Sequence, residues 1–155
     1  MYMLTRTDGR RTEAGVSGIR AVDVLAVAAP AASAIAVENL TRKVFPTART
    51  ELGAAGLLVA AVVYPAARSG SRVSLASARE VAGVAAATAV VSKARSRGGM
   101  TARALIAAGW AAHAVFDAQH EAGPGGRLPR WDPALCAGYD LAFAASLLRP
   151  APRAA

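Results

Sequence analysis

The sequence predicts an all-α protein, a small transmembrane helical bundle of four spans preceded by a weaker N-terminal apolar helix. Three observations lead there. Hydrophobic residues make up 54% of the 155-residue chain but aromatics only 5%, so the apolar content is mostly Ala, Val and Leu. Those residues lose little on entering a helix, and no stretch shows the sustained alternation of a half-buried strand. Four blocks then repeat one design with almost no internal charge: 52–67, 72–93, 104–116 and 133–148. Finally, these blocks lack the polar stripe that a water-facing bundle helix of four turns carries. Four such cylinders in a chain this short need an apolar cover, and lipid is the simplest one.

Taken in order, residues 1–20 (MYMLTRTDGRRTEAGVSGIR) form a polar tail. Residues 21–51 hold an apolar stretch over 21–37, interrupted by Pro30 and flanked by Asp23 and Glu38, and then a basic linker. This segment is expected to be an interfacial or weakly inserted helix, with a fifth span as the alternative. It resembles a secretory signal in part, but begins late and ends in acid. Residues 52–149 form the four-helix membrane domain, and 150–155 a C-terminal tail. Each apolar block is short against the ~20 residues of a spanning helix, a deficit that thinning and snorkelling arginines can absorb. Pro65, Pro129 and Pro133 mark boundaries, and GPGG at 123–126 reads as the turn of a helical hairpin rather than a phosphate loop, since no strand precedes it and no GK[ST] ends it. Trp131 and Tyr64 read as interface anchors, and Trp110 as packing.

Net charge is +8, almost all from arginine. The arginines are spread between apolar blocks without interleaved aromatics, which argues against a nucleic-acid groove. Their distribution bears instead on orientation. With four spans, thirteen of the eighteen basic residues fall on the side holding both termini, against Arg68, Arg72, Arg79, Arg127 and Arg130 on the other. By the excess of positive charge in cytoplasmic loops, both termini are expected in the cytoplasm of a bacterial cell whose inner membrane the chain crosses. With five spans the basic residues divide nine to nine and orientation is undefined. Cys136 is the only cysteine, so no intrachain disulfide exists.

Residues 109–140, GWAAHAVFDAQHEAGPGGRLPRWDPALCAGYD, gather both histidines, the cysteine and both tryptophans. His113, Asp117 and His120 are spaced i, i+4, i+7, within a stripe of roughly 60° on a helix. Cys136 and Asp140 share a face one turn apart, and Glu80 falls in the same outward half. Ionisable groups cannot face lipid cheaply, so these six are expected to point inward and meet. Three roles compete: interhelical hydrogen bonding, metal binding by His113, Asp117 and His120 with zinc the suited ion, and a proton or small-cation path. A Cys136/His nucleophile pair is weaker, so the balance leans away from an enzyme, with a membrane-embedded metal enzyme or a structural, partner-binding subunit as alternatives. Gly53, Gly56 and Gly83 with Ala87 let helices approach closely, which also suits homo-oligomers.

The runs REVAGVAA, GWAAHAVFDAQH and RLPRWDPALCAGYDLAFA resemble a family of small multi-pass membrane proteins common in GC-rich actinobacteria. The likeness covers roughly residues 52–149. Members often carry paired histidines after the Asp, where this chain has Glu121 after His120, and Tyr where it has Asp132. The resemblance implies a membrane location and importance for His113, Asp117, His120, Cys136 and Asp140, without implying an activity.

Overall fold

A computed structural model describes residues 21–68, 74–119 and 131–150, with side chains from residue 27 onward. The N-terminal tail, the GPGG turn, His120 and nearly all of the C-terminal tail lie outside the described residues. Five helices make up the fold: α1 (Ala21–Val44), α2 (Arg49–Ala67), α3 (Leu75–Arg95), α4 (Gly99–Gln119) and α5 (Asp132–Leu147). There is no strand among the described residues.

Local chemistry explains the boundaries. The Ser74 hydroxyl accepts a hydrogen bond from the Ser77 amide at 3.1 Å, while the Ser77 hydroxyl accepts one from the Ser74 amide at 2.7 Å. This reciprocal cap starts α3. Gly98 and Gly99 both take positive φ, 66° and 55°, which turns the chain between α3 and α4 where a side chain would be strained. Pro133 sits in the first turn of α5, where its missing amide costs no helical bond. Pro65 precedes the end of α2 by two residues.

Side-chain contacts fix the directions. Gly53 meets Ile106, Gly56 meets Trp110 and Tyr64 meets Phe116, so α2 and α4 run parallel. Gly83 meets Phe116 and Val90 lies against Gly109, so α3 is antiparallel to α4. His113 reaches Asp140 while Trp110 reaches Phe143, making α5 antiparallel to α4 as well. Val27 packs on Gly138 and Arg42 donates to the Pro150 carbonyl, so α1 lies parallel to α5. The 21–51 segment thus contains a 24-residue helix that continues past residue 37 and packs along α5. Helix α4 touches α2, α3 and α5.

Small residues hold the crossings close. A Cβ at Gly109 would lie 2.6 Å from Cδ2 of Leu57 and 3.1 Å from Cγ1 of Val90, and one at Gly138 would lie 3.0 Å from the Val27 carbonyl oxygen. The core between them is Leu57, Ile106, Trp110, Phe143 and Leu147, with alanines filling the gaps. The Trp110 indole donates to the Gly53 carbonyl at 2.9 Å, so it bonds as well as packs.

Charged side chains near the helix ends, among them Lys43, Glu51, Arg79, Lys93, Arg95 and Arg149, are exposed, but others lie inside. Glu38, Arg49, Glu80, Asp117 and Asp140 are buried, whereas Leu40, Val59, Leu75 and Val81 are more than 60% exposed. Helices α2 and α3 are long and apolar enough to cross a membrane, yet only 28% and 17% of their most apolar windows are buried inside the bundle. The all-helical expectation is met, whereas among the described residues two helices, not four, have the length and apolarity of spans. Helix α5 has 16 residues, and α4 carries Arg103, His113 and Asp117.

One buried ion pair ties α1, α2 and α5 together. The Arg49 guanidinium, 3% exposed, pairs with Glu38 and donates to the carbonyls of Ser146 (2.7 Å) and Leu147 (3.0 Å). It thereby adds side-chain donors to the carbonyls that end α5, of which Ser146 also accepts the Arg149 amide at 3.1 Å. Arg49→Ala leaves Glu38 buried without its cation and is expected to cost about 3–5 kcal/mol. Denaturant unfolding in detergent measures this, and adding Glu38→Ala should restore part of the loss.

Candidate functional site

The i, i+4 spacing on α4 stacks His113 over Asp117, and the antiparallel α5 presents Asp140 to both. His113 Nδ1 lies 2.7 Å from Oδ2 of Asp140 and 3.3 Å from Oδ2 of Asp117. One ligand atom from each of the three residues falls within 4.8 Å of the others. Asp117 is 0% exposed and Asp140 3%, so bulk water reaches neither carboxyl group. The Asp140 contact is a hydrogen bond, whereas neither oxygen of Asp117 has a hydrogen-bond partner. His113 Nε2 is likewise buried without one.

Aromatic rings close the site. Phe116 lies 5.9 Å from the His113 ring and 5.6 Å from Tyr64, while Tyr139 and Phe143 stack on each other with Trp110 tilted against both. Tyr64 is 5% exposed. Its expected place as an interface anchor is therefore corrected, because parallel packing of α2 on α4 turns the ring inward against Phe116. Trp131 is 57% exposed at the start of α5.

Two of the six residues singled out from the sequence stand apart from this cluster. Glu80 pairs with Arg68, which closes the α2–α3 turn with a hydrogen bond from Nε at 2.8 Å and a second from the guanidinium. That hydrogen bonding raises the Arg68 pKa further above its usual value, with burial opposing. Cys136 Sγ points to Asp132 at 3.9 Å, a contact along α5 rather than across to α4. His120 is outside the described residues, so the His113, Asp117, His120 ligand set is represented by its first two members, with Asp140 beside them. Sequence reading missed the Arg68–Glu80 and Glu38–Arg49 pairs. The signal was present: each is an acid and an arginine 11 or 12 residues apart across a helix turn.

An apolar cavity of about 170 Å³ adjoins the cluster, walled by Leu57, Gly83, Ala87, Val90, Gly109 and Phe116, with His113 at its edge. Neither Asp117 nor Asp140 lines it. The imidazole thus stands between two carboxyl groups on one side and a small apolar space on the other.

The fold and site define an all-helical bundle with a largely buried His/Asp/Asp cluster, two of whose helices are long and apolar enough to cross a membrane. Comparison with protein families, with curated proteins and with solved structures finds no match to this chain.

The two carboxyl groups should respond oppositely to amide substitution. Asp140→Asn weakens a hydrogen bond to the imidazole and is expected to cost about 1.5–3 kcal/mol. Asp117→Asn removes an ionisable group whose oxygens accept no hydrogen bond and is expected to leave stability unchanged or raise it. Unfolding of both variants in micelles with a chelator present distinguishes them, and equal losses would contradict the geometry.

Proposed function

We propose that this chain is an integral membrane protein that binds one divalent transition-metal ion at His113, Asp117 and Asp140. The membrane reading is supported by two features: five charged side chains lie inside, and between their charged ends the outer faces of α2 and α3 are mostly valine, leucine and alanine. In water these faces would leave Val59, Val62, Leu75 and Val81 uncovered. Because α1 runs parallel to α5, it crosses with the others in this reading. That gives five spans and puts Ala21 at the end opposite Arg149, in place of four spans with both termini on one side. All described basic residues except Arg68 and Arg79 lie at the end where α2 and α4 begin. Over the whole sequence, five spans divide the eighteen basic residues nine to nine between the two ends, so charge does not orient the bundle.

The observation that carries the metal reading is Asp117, wholly buried with both oxygens lacking a hydrogen bond, beside a second carboxyl group and an imidazole. Two carboxyl groups against one imidazole leave a shortage of positive charge in a medium that water does not reach, and a cation supplies it. One nitrogen and two oxygens suit zinc, whose three-ligand sites keep a fourth position open. The Nδ1 edge faces both carboxyl groups and is the ligating nitrogen, leaving Nε2 as the protonated one.

A second reading, a membrane-embedded metal enzyme, is favoured by one feature. The 170 Å³ apolar cavity beside His113 provides the space from which a small uncharged molecule would approach the open position.

Protein purified in detergent, stripped with chelator and dialysed against zinc should retain one equivalent by elemental analysis. Retention should fall at least tenfold in both Asp117→Asn and Asp140→Asn. No retained zinc in the wild-type chain, or undiminished zinc in both variants, overturns the site. Carbonate washing of membranes should leave the chain in the pellet, and its release would overturn the membrane reading.

A further inference from the structure

At the opposite end of the bundle, where α2 and α4 begin and α3 ends, lies a second and larger cavity of about 400 Å³. Its rim is polar: Thr47, Thr50 and Glu51 from the start of α2, Arg95 from the last turn of α3, and Arg103 from α4. Its floor is apolar, formed by Ala54, Val91 and Ile106.

Four features give this cavity an affinity for anions. Helix α2 begins without any side-chain cap, so its first-turn amides have no acceptor there. Helix α4 begins at Gly99 after Gly98, and a glycine has no side chain with which to cap. The positions that a Cβ would take at Gly98 and Gly99 meet no atom within 4 Å, which leaves the backbone open to an approaching group. Arg103 Nε is buried and has no hydrogen-bond partner. Two helix N-termini and two arginines therefore border one space, opposed by the carboxylate of Glu51 and by the C-terminal end of α3.

We propose that this cavity binds a phosphate ester, with the phosphate held by Arg95, Arg103 and the amides that open α2 and α4, and the organic stem lying on Val91 and Ile106. Phosphate fits better than a carboxylate because it offers acceptors in more directions than one planar fork, and here the donors come from three helices. The ester's apolar stem accounts for the floor, which a free inorganic anion would leave uncovered. The volume is within the range of small-ligand sites. The ester has two sources, the headgroup of an anionic phospholipid in the leaflet at this end, or a soluble phosphate monoester. The site is separate from the His113 cluster, and its binding does not require zinc there.

The test uses the full chain in detergent, titrated with phosphatidylglycerol, glycerol 3-phosphate or diacylglycerol and read by native mass spectrometry and by thermal shift. Phosphatidylglycerol binding without glycerol 3-phosphate binding identifies the lipid as the source, and glycerol 3-phosphate binding identifies the soluble ester; diacylglycerol should not compete. Arg95→Gln with Arg103→Gln should weaken the phosphate ligand at least tenfold, while Arg79→Gln at the other end should not. Arg95 is exposed, so Arg95→Gln alone should keep the wild-type melting temperature without ligand and still weaken binding severalfold. Failure of both phosphate ligands to bind, binding of diacylglycerol as tight as phosphatidylglycerol, or unchanged affinity in the arginine variants would overturn the proposal. Stoichiometric zinc in the same preparation would show that such a failure belongs to this cavity alone.

Discussion

Burial of charge among helices with apolar outer faces is the constraint on which the rest of the molecule depends. A bundle of Ala, Val and Leu has little polar surface with which to solvate an arginine or a carboxyl group. Each charged side chain on an inner face must therefore find a partner across a helix crossing. Arg49 finds Glu38 and the terminal carbonyls of α5, Glu80 finds Arg68, and Asp140 finds His113. These three links sit at different places and join different helix pairs. They specify which helices are neighbours in a bundle whose alanine faces would otherwise pack almost interchangeably.

Close backbone approach makes those links short. Gly109 lets Leu57 and Val90 meet over α4, Gly56 lets the Trp110 ring lie on α2, and Gly138 brings α1 against α5. Where burial from water gives no driving force between helices, contact area and hydrogen bonds across crossings supply it. The Trp110 bond to the Gly53 carbonyl combines the two, because a glycine at 53 exposes its own carbonyl to a neighbouring helix. Asp117 is the exception in this scheme: it is as buried as any residue in the chain, yet its oxygens make no hydrogen bond.

Much of this was legible in the sequence, for identifiable reasons. Uncharged alanine-rich blocks read as helices because no competing period is present, and Pro133 marks a helix boundary through a backbone preference that holds in any context. The 3.6-residue period places His113 and Asp117 on one face without further information. Proximity of Asp140 to them needs more, namely an antiparallel α4–α5 pair in a particular register, which local sequence does not encode. The partner of Glu80 was missed because Arg68 stands at the end of an apolar block and was counted as loop charge. Helix α1 runs on to Val44 where the apolar stretch stops at residue 37, and its packing on Gly138 depends on a residue more than a hundred positions away.

The central claim is that lipid, not water, meets the outer faces of α2 and α3. Nitroxide labels at Val59→Cys and Val81→Cys, in a Cys136→Ala background reconstituted into vesicles, measure this through collisions with oxygen and with a water-soluble nickel chelate. The account predicts high oxygen and low chelate accessibility at both positions. Chelate accessibility as high as at a label on Arg97, an exposed turn residue, would contradict it.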